Sequence, residues 1–484
     1  MFLRSVIYKK MLNFRDVQNA LNDNHLVDYI KHTCEHTPEI SSCMTHYKIN
    51  NDKYVTRILA KYSDFIEPSA VVEDTLNSIK VSLDACIRGE HVSVLTNGKF
   101  AESDAQIYPF LIKDTTLSMK ANGIGMVNNK STITLKAQLG FACNALGVTR
   151  GYVIGKDETC AMVDVENDDF HILEKCKTAA SWATHVRKNH ADMEMDPPSQ
   201  AELYPNMRCD TDDPAIKRIK KDLAVKNKEI TLVRNLNTTH RSLALSHGIS
   251  TWDDPRLNSK ILQIKSKGTS KIVDTILTAN RKMDEVVDAS RIPKKCNPGD
   301  VFVDIETLGN MHPELSDMPF MIGLGYGENS FECIVADVVS LAEERVVLAK
   351  FLARLEALGA KRILHWAPYE VKIFTKMEKR HNLSIIAKYE WIDMCAQLER
   401  SNYCPKHAFS YSLKSIAPAM HKNGMINTIW DSDCTDGLTA MFNAYNAYKS
   451  GNTAVLDDIQ EYNRVDVVTT MEIWRYLVSI GIVM

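Results

Sequence analysis

Acidic residues in the C-terminal part of the chain have the types and spacing to hold hard cations. Asp304 and Glu306 stand two apart in VFVDIETL, a run otherwise made for a buried strand. Side chains alternate across a strand, so Phe302, Asp304 and Glu306 share one face while Val301, Val303 and Ile305 share the other. Two carboxylates side by side in such a strand are costly unless positive charge lies between them, and a divalent ion that prefers oxygen is the natural compensation. A third acid, Glu370, follows in RILHWAPYEVKIF. A short strand there ends at Trp366, a proline follows, and a helix begins near Tyr369, so Glu370 falls in a first turn where the helix dipole favours an anion. Tyr462 and Asp466 are four apart in IQEYNRVDVVTTMEIWRYLV, a long helix with Val465, Val468, Met471 and Leu477 along an apolar stripe. Four apart on a helix means stacked on one face. Each motif alone has an ordinary reading: a solvated strand end, a dipole-matched glutamate, a surface aspartate beside a half-buried tyrosine. Specificity lies in their occurring together and in this order.

That order resembles the DEDD superfamily of 3′→5′ exonucleases, in the subgroup with tyrosine in the last motif. Residues 300 to 480 look like its RNase H-like, YprB-type branch, which has a glutamate in the second motif, as in HWAPYE here. The branch also has an aspartate opening a following segment, here Asp393 in WIDMCAQL, and the phrase FSYSLKSIAP, residues 409 to 418. The resemblance implies Asp304, Glu306, Glu370 and Asp466 as ligands of two Mg²⁺ or Mn²⁺ ions that clamp an in-line phosphodiester displacement. Asp304 would bridge both ions, Glu306 and Asp466 would complete one, and Glu370 would serve the second indirectly. Tyr462 would orient the attacking water, because a phenol of pKa near 10 is a poor base at neutral pH. Lys414 and Arg464 read as solvated surface residues able to reach phosphates. Trp366 reads as core packing and Tyr369 as a surface on which a terminal base could stack.

The elements that must position these residues are strands first, then alternating helices and strands. VFVDIETL, FMIGLGYG and SFECIVADV precede the helix LAEERVVLAKFLARLEALG and the strand RILHWA. This is the pattern of a three-layer mixed α/β domain. Gly323, Gly325 and Gly327 in GLGYG resemble a phosphate loop, but no G-x-G-x-x-G or G-x-x-x-x-G-K-[ST] follows, and they read as the turn after the second strand.

Breaks at MDPPSQAELYPNM (residues 195 to 207) and RIPKKCNPGD (residues 291 to 300) divide the chain into 1–195, a helical connector 196–297, and 298–484. In the first part, KSTITLKAQLGFACNALG reads as a strand running into a helix, with Leu135, Leu139, Cys143 and Leu146 on one face, and GYVIGK as a buried strand. Residues 108 to 157 resemble the end of a restriction-like, lambda-exonuclease or YqaJ-type (PD-(D/E)XK) nuclease core, with Gln138 in the place of that family's helix glutamine. The E-x-K motif of that family would fall on Leu111-Ile112-Lys113 or Ser118-Met119-Lys120, and neither has the acid. No Pro-Asp motif precedes them, so the resemblance implies a degenerate nuclease fold that holds no metal yet can bind nucleic acid. His185 and His190, five apart, do not share a helical face and read as surface residues.

The expected fold class is thus α/β, with an RNase H-like mixed sheet flanked by helices, preceded by an α+β restriction-endonuclease-like domain and the connector. A formal net charge of −3 excludes a basic nucleic-acid coat but not a local electropositive groove. The 12 cysteines contain no C-x-x-C pair, which argues against a zinc ribbon and for reduced thiols. The opening MFLRSVIYKKMLNF lacks the long apolar region of a signal peptide, and no run of about 18 apolar residues exists to span a bilayer. A soluble intracellular protein is expected, cytoplasmic or at a nuclear or viral replication site. Its expected activity is metal-dependent 3′→5′ exonucleolysis of nucleic acid, with DNA ahead of RNA, alongside replication, repair or recombination proteins. The alternatives are an RNA exonuclease and a nucleic-acid-binding accessory protein of such a complex without activity of its own; the full set of acids argues against the last.

Overall fold

The computed structural model describes residues 11–33, 42–102, 105–211, 213–282, 296–309, 311–312, 315–430 and 437–480. The chain divides into two units, Met1–Glu229 and Ile230–Met484. Among the described residues, no helix is long and apolar enough to cross a membrane.

In chain order the first unit contains β1 (Leu12–Asn13), α1 (His25–Thr33), α2 (Ser42–Lys61), β2 (Ile66–Pro68), β3 (Val71–Asp74), β4 (Ile79–Ser82), β5 (Ala85–Arg88) and α3 (Val92–Leu95). After these come β6 (Ile107–Ile112), α4 (Lys130–Leu146), β7 (Arg150–Ile154), β8 (Cys160–Asp164), α5 (Ile172–Asn189) and α6 (Pro214–Lys226). Its strands form a three-stranded sheet, β1-β4-β3, and a five-stranded sheet, β2-β5-β6-β7-β8. The segment KSTITL, expected as a strand, is the opening of α4. Asn129 explains why: its side chain accepts the backbone N–H groups of Ser131 and Thr132, and Thr132 Oγ1 accepts the Asn129 N–H in return. A satisfied helix start outweighs the modest strand preference of three β-branched residues. GYVIGK supplies β7, a buried strand parallel to β6. Leu203, Ile216 and Leu223, from the stretch expected as a connector, belong to the core of this unit.

The second unit begins with α7 (Thr238–Ser246) and α8 (Lys267–Lys282), whose Val273, Ile276 and Leu277 share one core with Tyr403, Tyr411 and Trp474. Then come β9 (Asp300–Thr307), β10 (Pro319–Tyr326), β11 (Ser330–Val335), α9 (Leu341–Ala357), β12 (Arg362–His365), α10 (Tyr369–His381), β13 (Glu390–Asp393) and α11 (Met394–Arg400). It closes with α12 (Leu413–Lys422), α13 (Gly437–Ser450) and α14 (Val455–Ser479). The sheet order is β11-β10-β9-β12-β13, with β9 antiparallel to β10 and parallel to β12. The alternation read in VFVDIETL sorts its residues as expected. Val301, Val303 and Ile305 pack in the cluster that holds Phe351 and Phe374 from α9 and α10, whereas Phe302 packs in the cluster that holds Met471 and Trp474 from α14.

Gly323 and Gly325 do not form the turn that GLGYG suggests; they lie inside β10, and Gly327, at φ +58°, takes the turn. Their bare faces admit α14. A Cβ on Gly323 would overlap the Asn463 amide oxygen and stand 3.0 Å from its Cγ, and one on Gly325 would come within 2.6 Å of Val467 Cγ1. The helix therefore rests almost on the backbone of the strand next to β9.

Candidate metal centre

β9 is the middle strand of the sheet, so its polar face is covered from the helix side rather than open to water. On that face Asp304 is partly buried and Glu306 is 7% exposed. α14 brings Asp466, also 7% exposed, onto the same spot. One carboxylate oxygen from each of the three residues lies within 4.8 Å of the others. Among the described residues this is the group of potential ligands dense enough to hold a metal ion.

Carboxylates this close repel one another, and loss of water adds to the cost of their charge. Loss of water, followed by repulsion from Asp466, Glu306 and Glu370, holds the Asp304 carboxyl well above the usual range. Glu306 is raised for the same reasons, burial first and then Asp466. Burial also raises Asp466, against the opposing pull of Lys414, Trp430 and Tyr462.

Those opposing groups form the wall of the site. Lys414, in the first turn of α12, places Nζ 3.3 Å from Asp466 Oδ1. Its ammonium also lies 3.8 Å from the centre of the Trp430 ring and 4.3 Å from that of Tyr462, a pair of aromatic faces suited to a cation. Lys414 is exposed, as expected, yet its ammonium is flanked by the two rings, and the partial loss of water there draws its pKa below the ordinary value. Trp430 donates its indole N–H to the same Asp466 oxygen at 2.6 Å. Glu472 pins the strand of chain before Trp430 to α14, accepting the N–H groups of Asn427 and Thr428 at 2.8 and 2.9 Å. The approach to α12 is pinned from the other side: Asn280 of α8 accepts the His407 N–H and donates to the Ala408 carbonyl, both at 2.8 Å. Arg234 N donates to Phe409 O at 2.8 Å.

Glu370 sits in the first turn of α10 and is 3% exposed, but it is not one of the three converging acids. Its Oε2 lies 3.3 Å from Nδ1 of the buried His365. Burial raises its pKa, with His365 as the main opposing partner. The turn that aims it this way passes through Ala367, in the left-handed region at φ +67°, whose N–H is accepted by Asp393 at 3.1 Å. Asp393 also caps α11 through Ala396 N, so its carboxylate is committed to backbone. Tyr462 is buried against Lys414, and Arg464 faces outward, paired with Glu461 at 2.6 Å. Trp366 donates to Tyr411 O at 3.1 Å and packs on the core. Tyr369 is 41% exposed, and its hydroxyl shares a 2.7 Å hydrogen bond with Thr307 at the end of β9.

Two contributors were not read from the sequence. Asn463 donates to Asp304 Oδ2 at 2.6 Å from one turn before Asp466. An amide on the stripe that continues through Val467 and Met471 was the available signal. Trp430 had none, because it lies in a segment without periodicity.

In the first unit, Lys113 lies 3.0 Å from Asp84, which also accepts the Ile112 N–H at 2.8 Å. Gln138 donates to Ser82 O at 2.6 Å, and Leu111 is fully buried. His185 is exposed, and its Nδ1 accepts from the Asn189 amide NH₂ at 2.8 Å. Cys86, Cys143, Cys160, Cys176, Cys209 and Cys404 are buried free thiols.

Residues 301–478 match the family RNase_H_2, of the RNase_H superfamily. No curated protein matches the chain. The match supports an RNase H-like segment over these residues, which hold the mixed sheet and the three converging acids. RNase H-like nucleases use divalent metals, and the match supports a hydrolase of the nuclease class with nucleic acid as its substrate.

Proposed function

We propose that the second unit is a metal-dependent 3′→5′ exonuclease, acting on DNA in preference to RNA, with Asp304, Glu306 and Asp466 as direct metal ligands. The observation that carries this reading is the convergence of three buried carboxylates to within 4.8 Å against one neighbouring ammonium. The donor set fits a hard divalent ion: all oxygens, closely spaced, in a pocket where burial makes uncompensated negative charge costly. Two Mg²⁺ or Mn²⁺ ions are the complement that four acids would hold, Glu370 joining by a rotation away from His365. Such ions supply activation of water and charge neutralisation at a scissile phosphate.

The chain's own residues do the rest. Tyr462 orients the attacking water through its hydroxyl, beside Asp466. Lys414 offers its ammonium at the mouth of the cluster, where it can meet a non-bridging phosphate oxygen. Tyr369, exposed and held by Thr307, provides a face on which the terminal base stacks. The first unit is read as a degenerate restriction-like domain, residues 1–195, that binds nucleic acid without cleaving it, joined by residues 196–297 to the exonuclease domain 298–484. Leu111 standing where that chemistry needs an acid supports this reading, as does the meeting of Lys113 with Asp84. An intracellular site of action with replication or recombination proteins completes the proposal.

The test is digestion of single- and double-stranded DNA and RNA, labelled at either end, with Mg²⁺ or Mn²⁺. Loss of mononucleotides from the 3′ end is expected, and Asp304→Ala and Asp466→Ala should each lower the rate by about 1,000-fold or more. Undiminished activity in both variants would overturn the assignment.

A further inference from the structure

Asn463 is fully buried on the face of α14 that meets the sheet, one turn before Asp466 and the apolar contacts of Val467 and Met471. A buried amide costs free energy unless its hydrogen bonds are made. This one makes a single strong bond, from Nδ2 to Asp304 Oδ2 at 2.6 Å, while its Oδ1 has no hydrogen-bond partner. That oxygen lies over Gly323, where an added Cβ would overlap it. The strand has thus left out a side chain to seat an amide that serves only one carboxylate.

We propose that Asn463, seated in the space left by Gly323, is a positioning residue that fixes which oxygen of Asp304 faces the metal cluster. This rests on the reading of Asp304 as a metal ligand and adds how that ligand is held. An ionised Asp304 can accept only from the NH₂ end of the amide. With Oδ2 so engaged, Oδ1 is the oxygen left to coordinate. A neutral donor holds the carboxylate without bringing in positive charge that would compete with the ion, as lysine or arginine would. Groups that orient metal-binding carboxylates in this way typically govern affinity as strongly as some ligands do.

The experiment uses the full chain and two readouts: Mn²⁺ binding by isothermal titration calorimetry and Mn²⁺-dependent release of nucleotides from labelled DNA. Asn463→Ala and Asn463→Leu should weaken Mn²⁺ binding by about 10- to 100-fold and raise the Mn²⁺ needed for half-maximal rate in step, with KM for DNA nearly unchanged. Gly323→Ala should reproduce this with Asn463 intact. The double variant Gly323→Ala/Asn463→Ala should be no worse than Asn463→Ala alone, because the added methyl then occupies the vacated space. A merely structural role would lower the melting temperature and leave metal dependence alone; that result, or unchanged Mn²⁺ affinity in both Asn463 variants, overturns the proposal. Asp304→Ala separates the two levels. If it abolishes binding while the Asn463 variants bind normally, only the positioning role falls. If the unaltered chain binds no Mn²⁺, or Asp304→Ala binds as well as it does, the metal centre falls and the positioning role with it.

Discussion

Replacing Lys414 with methionine keeps the length of the side chain and removes the ammonium that lies against the acid cluster. At the observed 3.3 Å from Asp466, a unit charge pair is worth about 5 kcal/mol at an effective dielectric of about 20. The lysine side chain is 40% exposed, so solvent screening reduces this to about 1–3 kcal/mol. For a unit of this size the loss corresponds to a fall in melting temperature of about 3–10 °C in chelator. The fall should be larger at pH 8 than at pH 6. Without the lysine the acids are raised still further, and a carboxyl raised in the folded state contributes stability that disappears as pH climbs through its folded value. Saturating Mn²⁺ should then erase most of the difference, because the ions replace the missing charge. Freed from competition with the ammonium, the cluster should bind Mn²⁺ about 5- to 150-fold more tightly, which is the same 1–3 kcal/mol expressed as affinity. Turnover should nevertheless fall, since the phosphate loses a cation. Calorimetric melting in EDTA and in Mn²⁺, with a rate measurement alongside, reads all three quantities. A drop in melting temperature that is equal in EDTA and in Mn²⁺ would refute the reasoning, since it would mean that Lys414 does not act as the counter-charge of the cluster.

Two further expectations concern buried charges elsewhere in the two units. Arg380 forks onto the fully buried Glu344, with Nη1 2.7 Å from both carboxylate oxygens. Arg380→Ala strands that charge with only His381 beside it and should cost about 3 kcal/mol in denaturant unfolding of the second unit; a cost below about 1 kcal/mol would show the pair to be dispensable. In the first unit, burial raises the Asp28 carboxyl to about 7, with Asn19 the main opposing partner. Its contribution is complete below the unfolded pKa and is lost as pH rises through about 7, a swing of about 4 kcal/mol. Asp28→Asn should flatten that decline and stabilise the unit at pH 8, which urea titrations across pH would show; an unchanged pH profile would count against it.

Much of the RNase H-like segment was legible because its determinants are periodic. Alternation in VFVDIETL placed Asp304 and Glu306 together on the face of β9 opposite Val303, and the four-residue spacing of Tyr462 and Asp466 placed them on one face of α14. What escaped was set by tertiary geometry. Whether Glu370 looks at the other acids or at His365 depends on the left-handed turn at Ala367, which an alanine does not announce. That Lys414, exposed as expected, lies against Trp430 and Tyr462 escaped because both rings come from far along the chain. Gly323 and Gly325 read as a turn because glycine signals both a bend and a close approach, and only the helix lying across them distinguishes the two. In KSTITL the local strand preference was real, and the Asn129 cap outweighed it.

The bare backbone of β10 has a consequence for selectivity. Asp304 and Asp466 ride on separate elements, and the gap between those elements is set by hydrogen atoms where other strands carry carbon. Oxygens settle at about 2.0–2.1 Å around Mg²⁺ but about 2.3–2.6 Å around Ca²⁺, so a few tenths of an ångström separate an ion that supports the chemistry from one that merely fills the hole. A methyl wedged under the helix, overlapping the α14 side chains it meets by about 1 Å or more, would open the jaws by more than that. At the proposed metal centre the two glycines would thus act as a spacer gauge, leaving the sizing of the ion to residues that never touch it.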